Sequence, residues 1–359
     1  MGIFIETDQV KDAMKTYYKA ALQGNAEAQY KLGECYEDGL GGLEEDPELA
    51  FEWYKKAAEQ NYPDALYAAG LFYEDGDVVE QDIQKAFQYY NQAAELGASG
   101  AQIHLSHAYR FGDGIEMDPE MAFYYASLAA DSNESVGLHL LSNYYRFGIG
   151  TDVNYEKAVE YAQLAVDQDY LPAYSSLGWL YEHGQGVPED KQKAFELYLE
   201  AAKRGDCSSQ FNLGMWYSDQ SNRELYEEEN PMWRNSLEES FKWYKLAAEN
   251  EDADVAEYNS LAECYQYGWG VKQDYDHAIM WYQKSVDLGD DEAQENLDKL
   301  FAKKRTIDQL SSEEHEYWDE MKACSDYCEE IPDHEHRLLE KLRKLLGITE
   351  ERAKEIEKL

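Results

Sequence analysis

The sequence predicts an all-α fold: a solenoid of about seven to eight stacked helix pairs, followed by a small C-terminal helical module. Three observations predict it. First, an Ala-Ala step after an aromatic pair recurs as Ala20-Ala21, Ala57-Ala58, Ala93-Ala94, Ala129-Ala130, Ala165-Val166, Ala201-Ala202, Ala247-Ala248 and Ser285-Val286. Its second residues are separated by 37, 36, 36, 36, 36, 46 and 38 positions. A fixed period in this range marks stacked supersecondary units, each too small to bury its own apolar stripe. Second, Leu-Gly with a Tyr three residues after the Gly occurs at Leu32-Gly33, Leu177-Gly178 and Leu213-Gly214, with variant copies such as Leu105-Ser106 and Leu141-Ser142. Third, a Gly-x-Gly turn follows that Tyr at Gly112, Gly148, Gly184 and Gly268. Glycine just past an apolar-periodic run is a helix C-terminal signal, because it adopts left-handed backbone angles without steric cost.

The elements follow in order. Asp8 to Gln23 reads as a lone opening helix of the second type, with Ala13, Tyr17, Ala20 and Ala21 on one face. Seven helix–turn–helix units follow, each a helix A and a helix B. In the second unit, helix A is predicted over Ala65 to Glu74 and helix B over Asp82 to Leu96. Small residues at the paired positions let the backbones approach, and Tyr and Trp fill the space beyond. Two irregularities interrupt the period. About ten extra residues lie in the A–B turn of the sixth unit, an insertion over 218–239, and the segment NEDADV lengthens a B–A turn. An eighth helix A, Ala293 to Phe301, lacks the Gly turn and begins the C-terminal cap.

After Lys303 the pattern changes, giving expected domains at 1–302 and 303–359. Ser311 and Glu314 have capping-box spacing. Tyr317, Met321, Cys324 and Cys328 then share a helical face. A further helix carries Leu338, Leu339, Leu342, Leu345 and Leu346 up to Gly347. Thr349 caps a last short helix with Ala353, Ile356 and Leu359.

Charge narrows the function classes. Lys and Arg number 32 against 74 Asp and Glu, a net charge of −42. Such a field repels phosphate backbones and anionic membranes, which disfavours both as partners. No apolar run reaches the roughly 18 residues of a spanning helix, and the N-terminus lacks a signal-peptide pattern. Five unevenly spaced cysteines do not make a disulfide framework. The expected setting is cytoplasmic.

These markers resemble the Sel-one-like repeat family, a branch of the tetratricopeptide-like superfamily. The match rests on ALYAAGLFYEDG, a short linker, then AFQYYNQAAELG, and it covers roughly residues 8 to 302. Ser106 and Ser142 stand where that family usually has Gly. The resemblance implies an α/α superhelical solenoid whose A helices line a concave groove, and a role as a non-catalytic protein-interaction scaffold or adaptor. A cysteine-rich branch of the family is linked to β-lactam binding or hydrolysis. Cys35 and Cys264 occupy one equivalent position without partners, and Cys207 is off-pattern, so that reading is disfavoured. A structural self-assembly role is the other alternative; a monomer is expected.

No catalytic constellation, cofactor motif or metal site is expected. The Gly-x-Gly turns lack the strand and the Lys-Ser/Thr of a phosphate loop. Cys324 and Cys328 near Asp333, His334, Glu335 and His336 have zinc-like spacing, but they share a face with Tyr317 and Met321 and read as core residues. The expected function is capture of a protein or peptide partner by residues at offsets 2, 6, 9 and 10 from the first small residue of each helix A, off its core face. The first two repeats place acids there, including Glu37, Asp38, Glu74 and Asp75. The third gives Ile103, His107, Arg110 and Phe111. The fourth gives His139, Asn143, Arg146 and Phe147. The fifth contributes Trp179 and His183, and the sixth Phe211 and Met215. In so acidic a chain, two Arg-Phe pairs one repeat apart suit a carboxylate-bearing partner, because the guanidinium offers a two-pronged donor edge.

Overall fold

In the first four repeats helix B begins where a short polar side chain meets the backbone three residues on. Asp46, Asp82, Asp118 and Asn154 accept from the amides of Leu49, Lys85, Met121 and Lys157 at 2.9–3.0 Å. Such N-caps satisfy donors that no helical carbonyl can reach. The same cap residues donate their own amides to the marker tyrosines: Asp82 to the Tyr73 carbonyl, Asp118 to Tyr109 and Asn154 to Tyr145, each at 2.8 Å. The A–B turn is therefore pinned at both ends.

The computed structural model describes residues 8–40, 42–219, 236–325, 339–340, 342–344, 346–356 and 358. They form helices with no strand among them. In order these are α1 (Asp8–Leu22), α2 (Ala26–Glu37), α3 (Pro47–Ala58), α4 (Pro63–Asp75), α5 (Ile83–Glu95) and α6 (Ser99–Phe111). Then come α7 (Pro119–Asp131), α8 (Ser135–Phe147), α9 (Tyr155–Asp167), α10 (Leu171–Glu182), α11 (Lys191–Lys203) and α12 (Cys207–Ser218). The last are α13 (Ser236–Ala248), α14 (Val255–Tyr267), α15 (Tyr275–Asp287), α16 (Asp291–Asp308), α17 (Ser312–Ser325) and α18 (Glu350–Ile356). The predicted A–B alternation is present, with α4 and α5 within two residues of their expected limits.

The chain separates into two compact units, Met1–Leu197 and Tyr198–Leu359. In the first unit, α2 packs on α3, α4 on α5, α6 on α7 and α8 on α9, and each helix B also packs on the next helix A. The small residues sit at these contacts: Ala57, Ala65, Ala69, Ala86, Ala93 and Ala101 are fully buried. The marker tyrosines stack on rings of helix B, Tyr73 on Tyr89, Tyr109 on Tyr125 and Tyr145 on Tyr161, with centroids 5.6–5.8 Å apart.

The two glycines of the turn do different jobs. Gly148 takes φ 69° and closes α8 with a left-handed residue. Gly150 is also left-handed, but it is close approach that requires it: a Cβ there would lie 1.9 Å from the Pro119 carbonyl at the start of α7. The second glycine thus seats each turn against the helix B of the preceding repeat.

In the second unit, α12 packs on α13, α14 on α15, and α15 on α16. The lengthened B–A turn ends in a full capping box between Asp254 and Glu257. Of the 218–239 insertion, residues 220–235 lie outside the described residues. The predicted Ser311–Glu314 capping box forms, with each partner's side chain accepting from the other's amide. Beyond it Ile307, Leu310, Tyr317, Met321, Leu339, Ile348, Ala353 and Ile356 share one core. The Arg352 guanidinium ties α18 to Glu314 at 2.6 Å. The Cys324 and Cys328 side chains and residues 333–336 lie outside the described residues, so the zinc-like spacing is not placed.

Candidate functional site: the exposed edge of the A helices

The edge of helix A carrying offset 9 has two chemistries, set by one core position. In the second repeat, Tyr90 of α5 lies against Gly70 of α4 and is fully buried. A Cβ at Gly70 would lie 2.4 Å from the ring, so this helix must carry Gly where that tyrosine packs. The Tyr90 hydroxyl then emerges at the edge and donates to Glu74. Burial first, and then the Glu74 carboxylate, hold this hydroxyl above the usual phenol range. The first repeat repeats the arrangement, with Gly33 under the Tyr54 ring and the hydroxyl 2.5 Å from Glu37. In the second unit Tyr282 donates likewise to Gln266 at 2.8 Å. At these positions the offset-9 side chain completes an interhelical hydrogen bond.

Repeats three and four replace the whole set. Ala126 and Ala162 stand where the tyrosine would be, and Ser106 and Ser142 replace the glycine. Each serine hydroxyl donates across the helix pair, Ser106 to the Ala122 carbonyl at 2.8 Å and Ser142 to that of Ala158 at 2.7 Å. The Tyr144 hydroxyl, from the following repeat, meets Ser106 Oγ at 2.9 Å. Core polarity is satisfied without the tyrosine, and Ser is a paired substitution rather than a local disturbance of helix spacing. With no tyrosine hydroxyl to receive, offset 9 holds Arg110 and Arg146 instead of Glu.

Both arginines lie over aromatic rings. Arg110 sits 4.8 Å from the Phe111 centroid and 5.6 Å from that of Tyr144, across on α8. Arg146 sits 4.7 Å from the Phe147 centroid and 3.6 Å from Trp179 on α10. His183 stacks on Trp179 at 4.1 Å. These cation–π contacts restrain a long side chain. Phe111 and Phe147 remain 65% and 57% exposed. Among the described residues no carboxylate lies within ion-pair distance of Arg110.

The histidines behave differently. His139 Nε2 lies 2.9 Å from Ser176 Oγ and 3.2 Å from Asn143 Nδ2, a half-buried polar knot between α8 and α10. Burial and then Arg146 lower its pKa to about 4, so it is neutral at pH 7. His107, near Phe111, is lowered as well, by desolvation and then by Arg110 and His104. Positive charge on this edge therefore comes from the arginines.

The structure thus joins His107, Arg110, Phe111, His139, Asn143, Arg146, Phe147, Trp179 and His183 along α6, α8 and α10 in the first unit. Phe211 and Met215 lie on α12 in the second unit: Phe211 is half-buried against Tyr244, with centroids 5.6 Å apart, and Met215 is 44% exposed. The acidic end differs from its expected role, since Glu37 and Glu74 spend an oxygen on Tyr54 and Tyr90, and Glu74 also pairs with His104 at 3.3 Å. Sequence reasoning missed this tyrosine–carboxylate pairing. Its signal is the exchange of Tyr for Ala four residues before the end of the Ala-Ala step.

Cys35, Cys207 and Cys264 are free, and burial pushes the last two thiols up to about 12. Among the described residues no group of three His, Cys, Asp or Glu side chains is placed to hold a metal ion. No described helix is long and apolar enough to cross a membrane.

The Sel1 repeat profile matches residues 26–62, 63–97, 99–134, 135–170, 171–206, 207–223, 234–252 and 258–290. Among solved structures, the chain is similar to a protective antigen of uropathogenic Escherichia coli that displays an SLR fold. Identity is 28%, over 96% of this chain and 70% of that one, with a TM-score of 0.58. It is also similar to a Sel1 repeat protein from Oxalobacter formigenes at 27% identity, over 82% of this chain and 81% of that one, with a TM-score of 0.57. No curated protein matches it in sequence.

Proposed function

Because the chain belongs to the Sel1 repeat family, we propose that it is a non-catalytic interaction scaffold that captures a protein partner on the A-helix edge of repeats three to five. One observation carries the reading. Two successive repeats give up the tyrosine–carboxylate bond together and present a stacked arginine beside an exposed phenylalanine in its place. Core packing alone asks for Ser opposite Ala; it does not ask for Arg or for solvent-facing Phe. Arginine and large aromatics are the side chains that dominate protein interfaces, and pre-ordered side chains lose less entropy on binding.

The experiment is affinity capture from the native lysate with the wild-type chain and with R110E/R146E, followed by hydrogen exchange on the captured complex. Loss of the partner in the variant, with protection over α6 and α8 in the wild type, is the expected result. Equal capture by both chains refutes the assignment.

A further inference from the structure

We propose that the C-terminal edge of the A helices in the first unit takes an extended, proline-rich segment of its partner. Two proline or large apolar residues, three apart, lie against Phe111 and Phe147, and two Lys or Arg residues at the same step lie against Asp75 and Asp38. This rests on the scaffold reading above and adds the chemistry and conformation of what is held.

One position recurs in each repeat, the last residue before the left-handed glycine that follows helix A. From the first repeat to the fifth it is Asp38, Asp75, Phe111, Phe147 and His183. All five are exposed, so they form one row, acidic in its first half and aromatic in its second. Phe111 and Phe147 each have a guanidinium over the ring, and Arg110 also hydrogen-bonds Tyr144, so the arginines act as ring supports. An exposed ring restrained in this way is an apolar platform of the kind that proline-rich segments dock on. The last turns of α2 and α4 hold acids and no basic residue, whereas those of α6 and α8 hold Arg110 and Arg146. The negative end of the helix dipole is thus answered by an arginine in the aromatic half of the row and by none in the acidic half. Cations of a partner complete it there, drawn by a molecule of net charge −42.

Spacing selects the conformation. Helix α4 contacts α6, and α6 contacts α8. Neighbouring helices lie about 10 Å apart, which is the step from one position of the row to the next. A polyproline II helix advances about 9 Å per three-residue turn and returns every third side chain to the same side. A β-strand sends residues i and i+3 to opposite faces, and an α-helix needs about seven residues to cover the step. A proline-rich chain is also pre-ordered, so it loses little entropy on docking. Pro-x-x-Pro joined at the same step to Lys-x-x-Lys or its Arg equivalent is the pattern these observations select.

The test pans a displayed library of random twelve-residue peptides on the full chain, with F111S/F147S as the subtractive target. Expected sequences carry Pro or a large apolar residue twice at a spacing of three, with Lys or Arg continuing that spacing on one side. A synthetic copy of the best sequence should bind wild type in fluorescence polarisation and lose at least about ten-fold on F111S/F147S, while F111Y/F147Y keeps most of the affinity. D38K/D75K should weaken it as well, and should regain binding when the basic residues of the peptide are replaced by Glu. All four positions are exposed, and unchanged far-UV circular dichroism verifies that the variants fold. Enrichment of acidic sequences, of a seven-residue apolar period or of sequences with no period of three overturns the proposal, as does recovery of nothing above the subtractive target. If the lysate partner is nonetheless lost on R110E/R146E, only the proline-rich chemistry falls. If the partner is retained, the site itself falls.

Discussion

Gly70 and Tyr90 should be energetically inseparable, and a double-mutant cycle measures by how much. Gly70→Ser puts a Cβ 2.4 Å from Tyr90 Cε1 and 2.7 Å from Cδ1. The ring has nowhere to go: it is fully buried, its hydroxyl is held by Glu74, and the His104 ring sits 4.4 Å away. Overpacking of this kind costs about 1–3 kcal/mol, less about 0.5 for the better helix former, so about 2 kcal/mol is expected. Tyr90→Ala alone removes a buried aromatic and should cost about 3–4 kcal/mol. In the double variant the clash is gone, and the new hydroxyl can reach the Ala86 carbonyl as Ser106 reaches that of Ala122. The pair should therefore cost about what Tyr90→Ala costs alone, a coupling of about 2 kcal/mol. It should not return to wild type, because Tyr144 crosses to Ser106 from the next repeat and the equivalent residue here is Ala108. Adding Ala108→Tyr should recover part of the remainder. Urea unfolding followed by far-UV circular dichroism, fitted with a common slope, gives all the terms. Additivity within about 0.5 kcal/mol would refute the coupled-position reasoning.

Further outcomes follow from the same geometry. Asp118→Ala removes the N-cap of α7 and should cost about 1 kcal/mol, read from the same urea titration, while Asp118→Asn should cost far less. Tyr125, Tyr217 and Tyr244 have hydroxyls raised to about 12 by burial, so the unfolded chain ionises first. Stability should hold below about pH 10 and fall as pH rises towards 12, seen as a steep drop in Tm that Tyr→Phe variants make shallower. His139 runs the other way: its folded pKa of about 4 lies below the unfolded value, so its contribution is present above about pH 6.5 and lost as pH falls through 4. Its ring carbons should titrate near 4 by NMR, and R146Q should move that midpoint upward; titration above 6 contradicts the buried, Arg-adjacent placement. Nitrocefin turnover should stay at background, since the reading assigns no bond chemistry to this chain.

Most of the architecture is legible in the sequence because it is repetitive. A period of about 36 residues averages away local ambiguity, and Ala-Ala, Leu-Gly and Gly-x-Gly each report a contact that recurs. Helix limits follow from caps such as Asp82 and Gly148 that act within a few residues. What the sequence conceals is cooperation between distant positions. Glu74 looks like an acid free for a partner until Tyr90, sixteen residues on, is seen to claim it. Trp179 looks like an open anchor, yet Arg146 and His183 stack against it. His139 shares a helix face with Arg146 but is drawn into the Ser176 contact, which no spacing rule on a single helix can reveal.

The two core pairings, Gly with Tyr and Ser with Ala, also bear on how such a chain changes over time. Each pairing lies within one helix pair, with the Tyr144 hydroxyl reaching Ser106 from the following repeat, so a repeat can be exchanged nearly whole when the residue that crosses to it is exchanged with it. An ancestral array of identical copies would need one coordinated exchange, not a scatter of independent ones, to convert a tied-down acidic edge into a basic, aromatic one. Inheritance of binding preference would then run in units of a repeat. A grafted third repeat should carry its edge chemistry with it into another position of the array, provided the incoming turn keeps the glycine that seats it on the helix before.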